Sequence, residues 1–306
     1  MRQFRGEIMV FASAFFFATT GVLAKLIISG GINPVQLTQI RAIGTFCFLF
    51  LFVIATNRNS LKVRKHELPN LILTGVIGMA SVQALYFFAV TRMPISITLV
   101  IEFTAPIWIA LFIRFFRKQV VRPLMWWGIG TALFGLILVT EIWSGLKLDA
   151  IGVIATFIDA LCLSFYYLKS EEIVKSRSGM SLLVYAFGSA SIFLAIIQPV
   201  WLFPTEIFAA QISLQELNSG LFVYGWQLIG ALIIFGSILP YILITYGLKY
   251  IPASQGSVIA MSEPVIAGGI AWVVLGESLS NVQLMGGLTV LFGIYLTERA
   301  RQGADK

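Results

Sequence analysis

Along this chain, long apolar runs alternate with short polar breaks, and the pattern recurs from one end of the sequence to the other. A helix of about twenty apolar residues crosses the hydrocarbon core of a bilayer. On that rule the runs predict ten spans, near 7–29, 34–56, 69–91, 95–116, 123–141, 150–170, 180–202, 226–248, 252–275 and 279–298. The period-two alternation of a membrane barrel is absent, and an open sheet would expose unpaired backbone to lipid. The expectation is an all-α membrane protein of ten transmembrane helices, with the lipid bilayer as its solvent.

The pattern also repeats on a larger scale. Shifting the sequence by 158 residues sets its two halves in register without a gap. Gly78 then falls on Gly236, Leu85 on Leu243, Pro94 on Pro252, Ser96 on Ser254 and Pro106 on Pro264. Further along, Gly128, Thr131, Leu133, Phe134, Gly135 and Leu138 fall on Gly286, Thr289, Leu291, Phe292, Gly293 and Leu296. Each half holds five helices, an odd number, so equivalent segments must cross in opposite directions. The division expected is 1–146 and 147–306, two inverted five-helix repeats. Such repeats place substrate near the midplane beside interrupted helices and point to alternating access.

Composition sharpens this picture. The chain is 58% hydrophobic and 11% charged, whereas a soluble domain carries about a quarter of its residues as charge. Lysine and arginine gather in the breaks that lie on one side: around 58–65, 114–122, 169–177, Lys249 and both termini. Only Lys25, Arg41, Arg92 and Lys147 of the 21 basic residues fall elsewhere. That bias predicts cytoplasmic N- and C-termini. It also explains the net charge of +7 without nucleic acid as a partner. The first run, near Ile8 to Ser29, is long enough to span and is followed by no small-residue cleavage pattern, so a cleavable signal is not expected.

Candidate chemistry is sparse. Cys47 and Cys162 lie inside apolar runs, and the single histidine, His66, lies in a basic loop. No metal cluster, cofactor motif, nucleophile–base set or Walker glycine loop can be assembled, so neither an enzyme nor direct use of ATP is expected. What stands out is the set of polar residues inside the spans. Glu102 lies about eight residues, roughly 12 Å, from the Pro94 end of its helix. A charge at that depth costs about 2.5–3.5 kcal/mol and marks a cavity or a partner. Pro106 lacks an N–H, so a kink there frees the carbonyl of Glu102 itself. Glu102 would then face a cavity, or pair with Lys25 or Arg41. Glu263, followed by Pro264, sits one helical turn from the repeat position of Glu102. Arg41 would hold a substrate carboxylate or neutralise Glu102, and Asp159 is the other deep acid. Gln83 and Tyr241 coincide under the repeat shift, which favours a shared cavity wall; Tyr86 and Tyr246 lie on the same two helices, and Pro240 is a third kink candidate. Lys25 reads as snorkelling to the interface.

The strings FATTGVLAK (17–25), EFTAP (102–106), IPASQGSVIAMSEPVIAGGIAWVVLGESLS (251–280) and GGLTVLFGIYL (286–296) resemble the drug/metabolite transporter superfamily, in its ten-helix EamA-type branch. The resemblance covers nearly all of the chain as two EamA-like halves. EFTAP is similar to the corresponding string of bacterial threonine and homoserine exporters. The resemblance implies an inner-membrane secondary carrier of a small metabolite, an amino acid or a related compound, acting as an exporter. A channel or facilitator, or an exporter of hydrophobic drugs or other metabolites, is the alternative. One departure is the acidic KSEE (169–172) after the sixth span, where family members often carry basic residues.

Overall fold

The computed structural model describes residues 4–145, 148–213, 222–275 and 279–302. Among them the chain forms ten membrane spans. They are α1 (Arg5–Ser29), α2 (Pro34–Asn57), α3 (Leu68–Val90), α4 (Ile95–Phe115), α5 (Pro123–Thr140), α6 (Ala150–Ser176), α7 (Gly179–Ile197), α8 (Gly225–Gly247), α9 (Ala253–Ala260 and Glu263–Leu275) and α10 (Asn281–Gln302). The first eight are each long and apolar enough to cross a membrane; α9 is split and α10 ends in a charged turn.

Local chemistry sets the starts. Asn33 caps α2 reciprocally: its side chain accepts from Gln36 N at 2.8 Å, and its own N–H donates to Gln36 Oε1 at 3.0 Å. Pro34 follows as the first helical residue, where its missing N–H costs nothing. Asp149 caps α6, accepting from Gly152 N at 2.7 Å.

The repeat shift carries irregularity onto irregularity. A stretch of α3, Val76–Ser81, is wound as a wider π-helix, and so is Ile234–Ile238 of α8. Val76 moved by 158 residues is Ile234. The helix α4 is really two, Ile95–Glu102 and Ala105–Phe115, separated by a turn at Phe103 and Thr104. The same shift places that turn on Met261 and Ser262, the break in α9. Pro106 and Pro264 therefore sit at the start of a new helical half. The kinks expected within continuous helices are complete interruptions, because the turn before each proline has already left the helical path. Pro240 lies two residues after the π segment of α8, whose widened turn absorbs the missing N–H.

The symmetry axis passes between α5 and α10. A Cβ on Gly128 would lie 3.0 Å from the Gly293 carbonyl oxygen, and one on Gly286 would lie 2.8 Å from that of Gly135. The shift exchanges these two contacts, as a self-complementary interface requires. Backbones this close need glycine on both sides.

Arg301 pairs with Glu7 at 2.7 Å and with Glu298 at 3.1 Å, so both ends of the chain lie at one end of the bundle, here the terminal end. At the opposite end a short hairpin, β1 (Gln211–Ser213) with β2 (Phe222–Tyr224), pairs antiparallel in the register Ile212↔Val223. It is the one departure from all-α among the described residues and lies outside the spans. Ile207 and Ile212 pack with Leu26, Ile27 and Leu228 beneath it.

The sixth span is longer than hydropathy predicts. It runs on through KSEE to Ser176 because Lys169–Glu172 (3.0 Å) and Lys175–Glu171 (2.6 Å) link successive turns there. The expected boundary at 146/147 falls on residues outside the described set.

Candidate functional site

A cavity of about 530 Å³ lies between the two halves. At the end away from the termini it reaches Ile28, Pro34, Thr91 and Ile95, and at mid-depth it is floored by Tyr167, Ile244, Ala260 and Glu263. Both broken helices face it. Glu102, the last residue of the first half of α4, and Glu263, the first residue of the second half of α9, line its wall. Neither carboxylate has a hydrogen bond or an ion pair among the described residues. Helix interruptions at this depth are tolerated where the backbone borders a cavity, and here each interruption carries a carboxylate into it.

Arg41 reaches the same cavity from α2 with only 6% of its surface exposed. Its Nη2 donates to Gly236 O at 2.8 Å and its Nε to Ser237 Oγ at 3.1 Å. Both acceptors belong to the π segment of α8, and Pro240, four residues after Gly236, has no N–H to give that carbonyl. The sequence left open whether Arg41 would neutralise Glu102; its hydrogen bonds go instead to α8. A guanidinium has five donors, so donors remain beyond these two bonds. The side chain of Lys25, the other partner considered for Glu102, lies outside the described residues.

The wall between these charges is aromatic. Gln83 Nε2 donates to Tyr241 OH at 3.3 Å, joining two residues that are equivalent under the repeat. The ring of Tyr241 meets Phe17 at 5.2 Å, Phe187 at 5.1 Å and Tyr166 at 6.0 Å, each edge-to-face. Tyr86 lines the cavity on the α3 side. Gly78, in the π segment of α3, lets Tyr166 approach: a Cβ there would lie 2.9 Å from that of Tyr166.

Of the residues singled out in the sequence, Arg41, Gln83, Tyr86, Glu102, Tyr241 and Glu263 meet on this one cavity. Two do not. Tyr246 borders a separate pocket of about 190 Å³ near the terminal end, with Arg177 and Lys249. Asp159 is fully buried behind the wall, and among the described residues neither of its carboxylate oxygens has a hydrogen-bond partner. Sequence reasoning missed Ser13, Phe17, Tyr166 and Tyr167, which also line the cavity. The Tyr166–Tyr167 pair, two hydroxyls in the middle of an apolar run, was the available signal.

The sequence profile of the EamA-like transporter family matches residues 4–141 and 150–299, one copy for each half. An uncharacterized transporter of Archaeoglobus fulgidus is 23% identical over 295 residues, with 96% of each chain covered. One from Clostridium kluyveri is 22% identical over 308 residues, covering 98% of this chain and 95% of that one. A protein of known crystal structure superposes with a TM-score of 0.78 at 16% identity, over 97% of this chain and 98% of the other, which establishes a shared fold.

Proposed function

The chain belongs to the EamA-like transporter family, and from that premise we propose that it carries an amino acid or a closely related compound by alternating access, as an exporter. The observation that supports this reading is the charge pattern of the cavity. Among the described residues, two carboxylates without direct partners face a guanidinium with donors beyond its two bonds to α8, all at mid-depth. An unpaired charge in that setting is costly until a complementary group arrives. An ammonium group satisfies Glu102 or Glu263, and a carboxylate satisfies Arg41. A zwitterion does both, while Tyr86, Tyr241 and the phenylalanines accept an apolar side chain. The distribution of basic residues assigns the terminal end to the cytoplasm, so the cavity as described opens outward.

Counterflow tests the reading. Proteoliposomes preloaded with unlabelled amino acids and diluted into labelled ones are expected to show saturable, transient accumulation of at least one member of the panel. Flux that rises linearly with concentration would indicate a channel; no flux of any amino acid would exclude this substrate class.

Asp159 adds a second element to the proposal. The bond from Ser164 Oγ to Ala105 O, 3.1 Å long, fixes the register of α6 against α4. It places Asp159, five residues earlier on α6, level with Glu102, three residues earlier on α4. The charged or titratable groups within electrostatic reach are Glu102 on α4, Tyr86 on α3 and Cys162 on α6 itself. A proton is the one ligand that needs no room, and Asp159 borders no part of the cavity. On this reading Asp159 handles the coupling proton while Glu102 handles the solute. Asp159→Asn is expected to retain counterflow and to lose accumulation driven by a pH gradient. Gradient-driven accumulation equal to wild type would remove Asp159 from the coupling step.

A further inference from the structure

The cavity is open toward one end of the bundle, and a single buried carboxylate ties together the elements that close the other. Glu171, near the end of α6, is 4% exposed. Its Oε2 accepts from Arg117 Nη1 at 3.1 Å and from the backbone N–H of Ala253 at 3.4 Å; its Oε1 accepts from Lys175 Nζ at 2.6 Å. Arg117 also donates to Leu168 O at 3.5 Å. Arg117 lies just beyond the inner half of α4, and Ala253 is the first residue of the inner half of α9. These two half-helices begin or end at the interruptions beside Glu102 and Glu263. They are therefore short levers, hinged at the substrate end and held at the far end by one carboxylate. A negative charge at the N-terminus of a helix is favourable, which adds to the hold on α9. Gln255, also on the inner half of α9, donates to Glu298 of α10 and, at 3.5 Å, to Glu7 of α1.

The inverted repeat shows what the same positions do on the open side. Moved by 158 residues, Glu171, Lys175 and Ala253 become Ser13, Phe17 and Ile95, and Arg117 becomes Leu275. Ser13, Phe17 and Ile95 all line the open cavity. The equivalents of the closed, ionic contact are thus the uncharged walls of the opening.

We propose that Glu171 is the latch of the terminal-side gate: its bonds to Arg117 and to the start of α9 hold the two hinged half-helices together, and their release opens the cavity to that side. This rests on the alternating-access reading above, though not on the identity of the solute. Because the equivalents of Glu171, Lys175, Arg117 and Ala253 are uncharged, those positions build no matching latch at the outer mouth. The latch therefore sets the resting balance toward the outward-open arrangement.

The test uses accessibility and no substrate. In a background with Cys47 and Cys162 replaced by Ser, a reporter is placed at Ala260→Cys, on the cavity floor, or at Leu99→Cys, nearer the mouth. A membrane-impermeant maleimide is then applied to one face of sealed proteoliposomes at a time. Removing one partner of a buried ion pair is strongly unfavourable, so Glu171→Gln is expected to speed labelling of Ala260→Cys from the terminal face by about tenfold or more. Labelling of Leu99→Cys from the opposite face is expected to fall in step. Arg117→Gln should produce the same pair of changes. Lys175→Gln, whose side chain is 61% exposed, should produce less than about a twofold change, as exposed pairs do. Unchanged labelling in both charge variants would overturn the latch. So would a rise from both faces, which signals loosened packing and no alternation. Counterflow is measured separately. A latch that behaves as described in a protein that moves no amino acid would leave the gate intact and refute the substrate.

Discussion

Glu102→Gln is expected to lower amino-acid exchange by about a hundredfold with little change in thermal stability. The two halves of that expectation have one cause. Among the described residues Glu102 has no hydrogen-bond partner, so its charge contributes nothing to holding α4 against its neighbours. Its neutral isostere keeps the shape of the wall and removes an uncompensated charge from mid-membrane. What is lost is the charge-assisted contact to a substrate ammonium. A desolvated contact of that kind is worth about 3 kcal/mol, or two factors of ten in affinity. A melting curve in detergent and initial rates of counterflow check both. A variant that unfolds early would mean that the carboxylate pairs with a group of the protein. An unaffected rate would remove it from the substrate path.

Arg41→Lys is expected to lower both function and stability, and that difference from Glu102 is informative. The guanidinium is engaged on one side with Gly236 O and Ser237 Oγ and turns its remaining donors to the cavity. Lysine keeps the charge and loses the planar fork that serves both sides at once. Leaving the π-segment carbonyl without its donor costs about 1–3 kcal/mol, read as a lower melting temperature. Exchange of zwitterionic amino acids is expected to fall at least tenfold by loss of the second charge-assisted contact. Amino-acid amides, which lack the carboxylate, should lose much less. An equal loss for acids and amides would show that Arg41 acts through the shape of α8 and not through the substrate.

Much of the fold was legible because its determinants are additive along the chain. Span positions follow from summed hydropathy, and the inverted repeat follows from Pro94 with Pro106 against Pro252 with Pro264. What sequence could not convey was the form the proline sites take. A proline shows that an N–H is missing but not whether neighbouring turns bend or stop. At Glu102 and at Ala260 they stop. The π segments were invisible for a related reason: one widened turn leaves the apolar pattern unchanged. Yet Gly78 and Gly236, which the repeat had already aligned, sit inside the two segments. Helix ends were misjudged where charged pairs, rather than apolar residues, carry the helix past the bilayer, as at Lys169–Glu172.

The candidate site was partly legible. Charges at depth stand out against an apolar background, so Arg41, Glu102 and Glu263 could be named. Phe17 could not, because a ring facing a cavity and a ring facing lipid contribute equally to hydropathy. Asp159 shows the converse. Depth alone marked it, but only packing reveals that it lies behind the wall. Tyr246 shares a helix with Tyr241 and still borders a different pocket, since five residues along a helix turn the side chain well off the first face.

On the proposed reading, solute is held in the cavity between the two broken helices. Counterflow of the same panel of labelled amino acids, with wild type and Glu102→Gln reconstituted at matched density, is the measurement that checks this. Saturable exchange of at least one amino acid by the wild type, and its loss in the variant, is the expected result. Equal exchange by both proteins would contradict it and place the solute elsewhere.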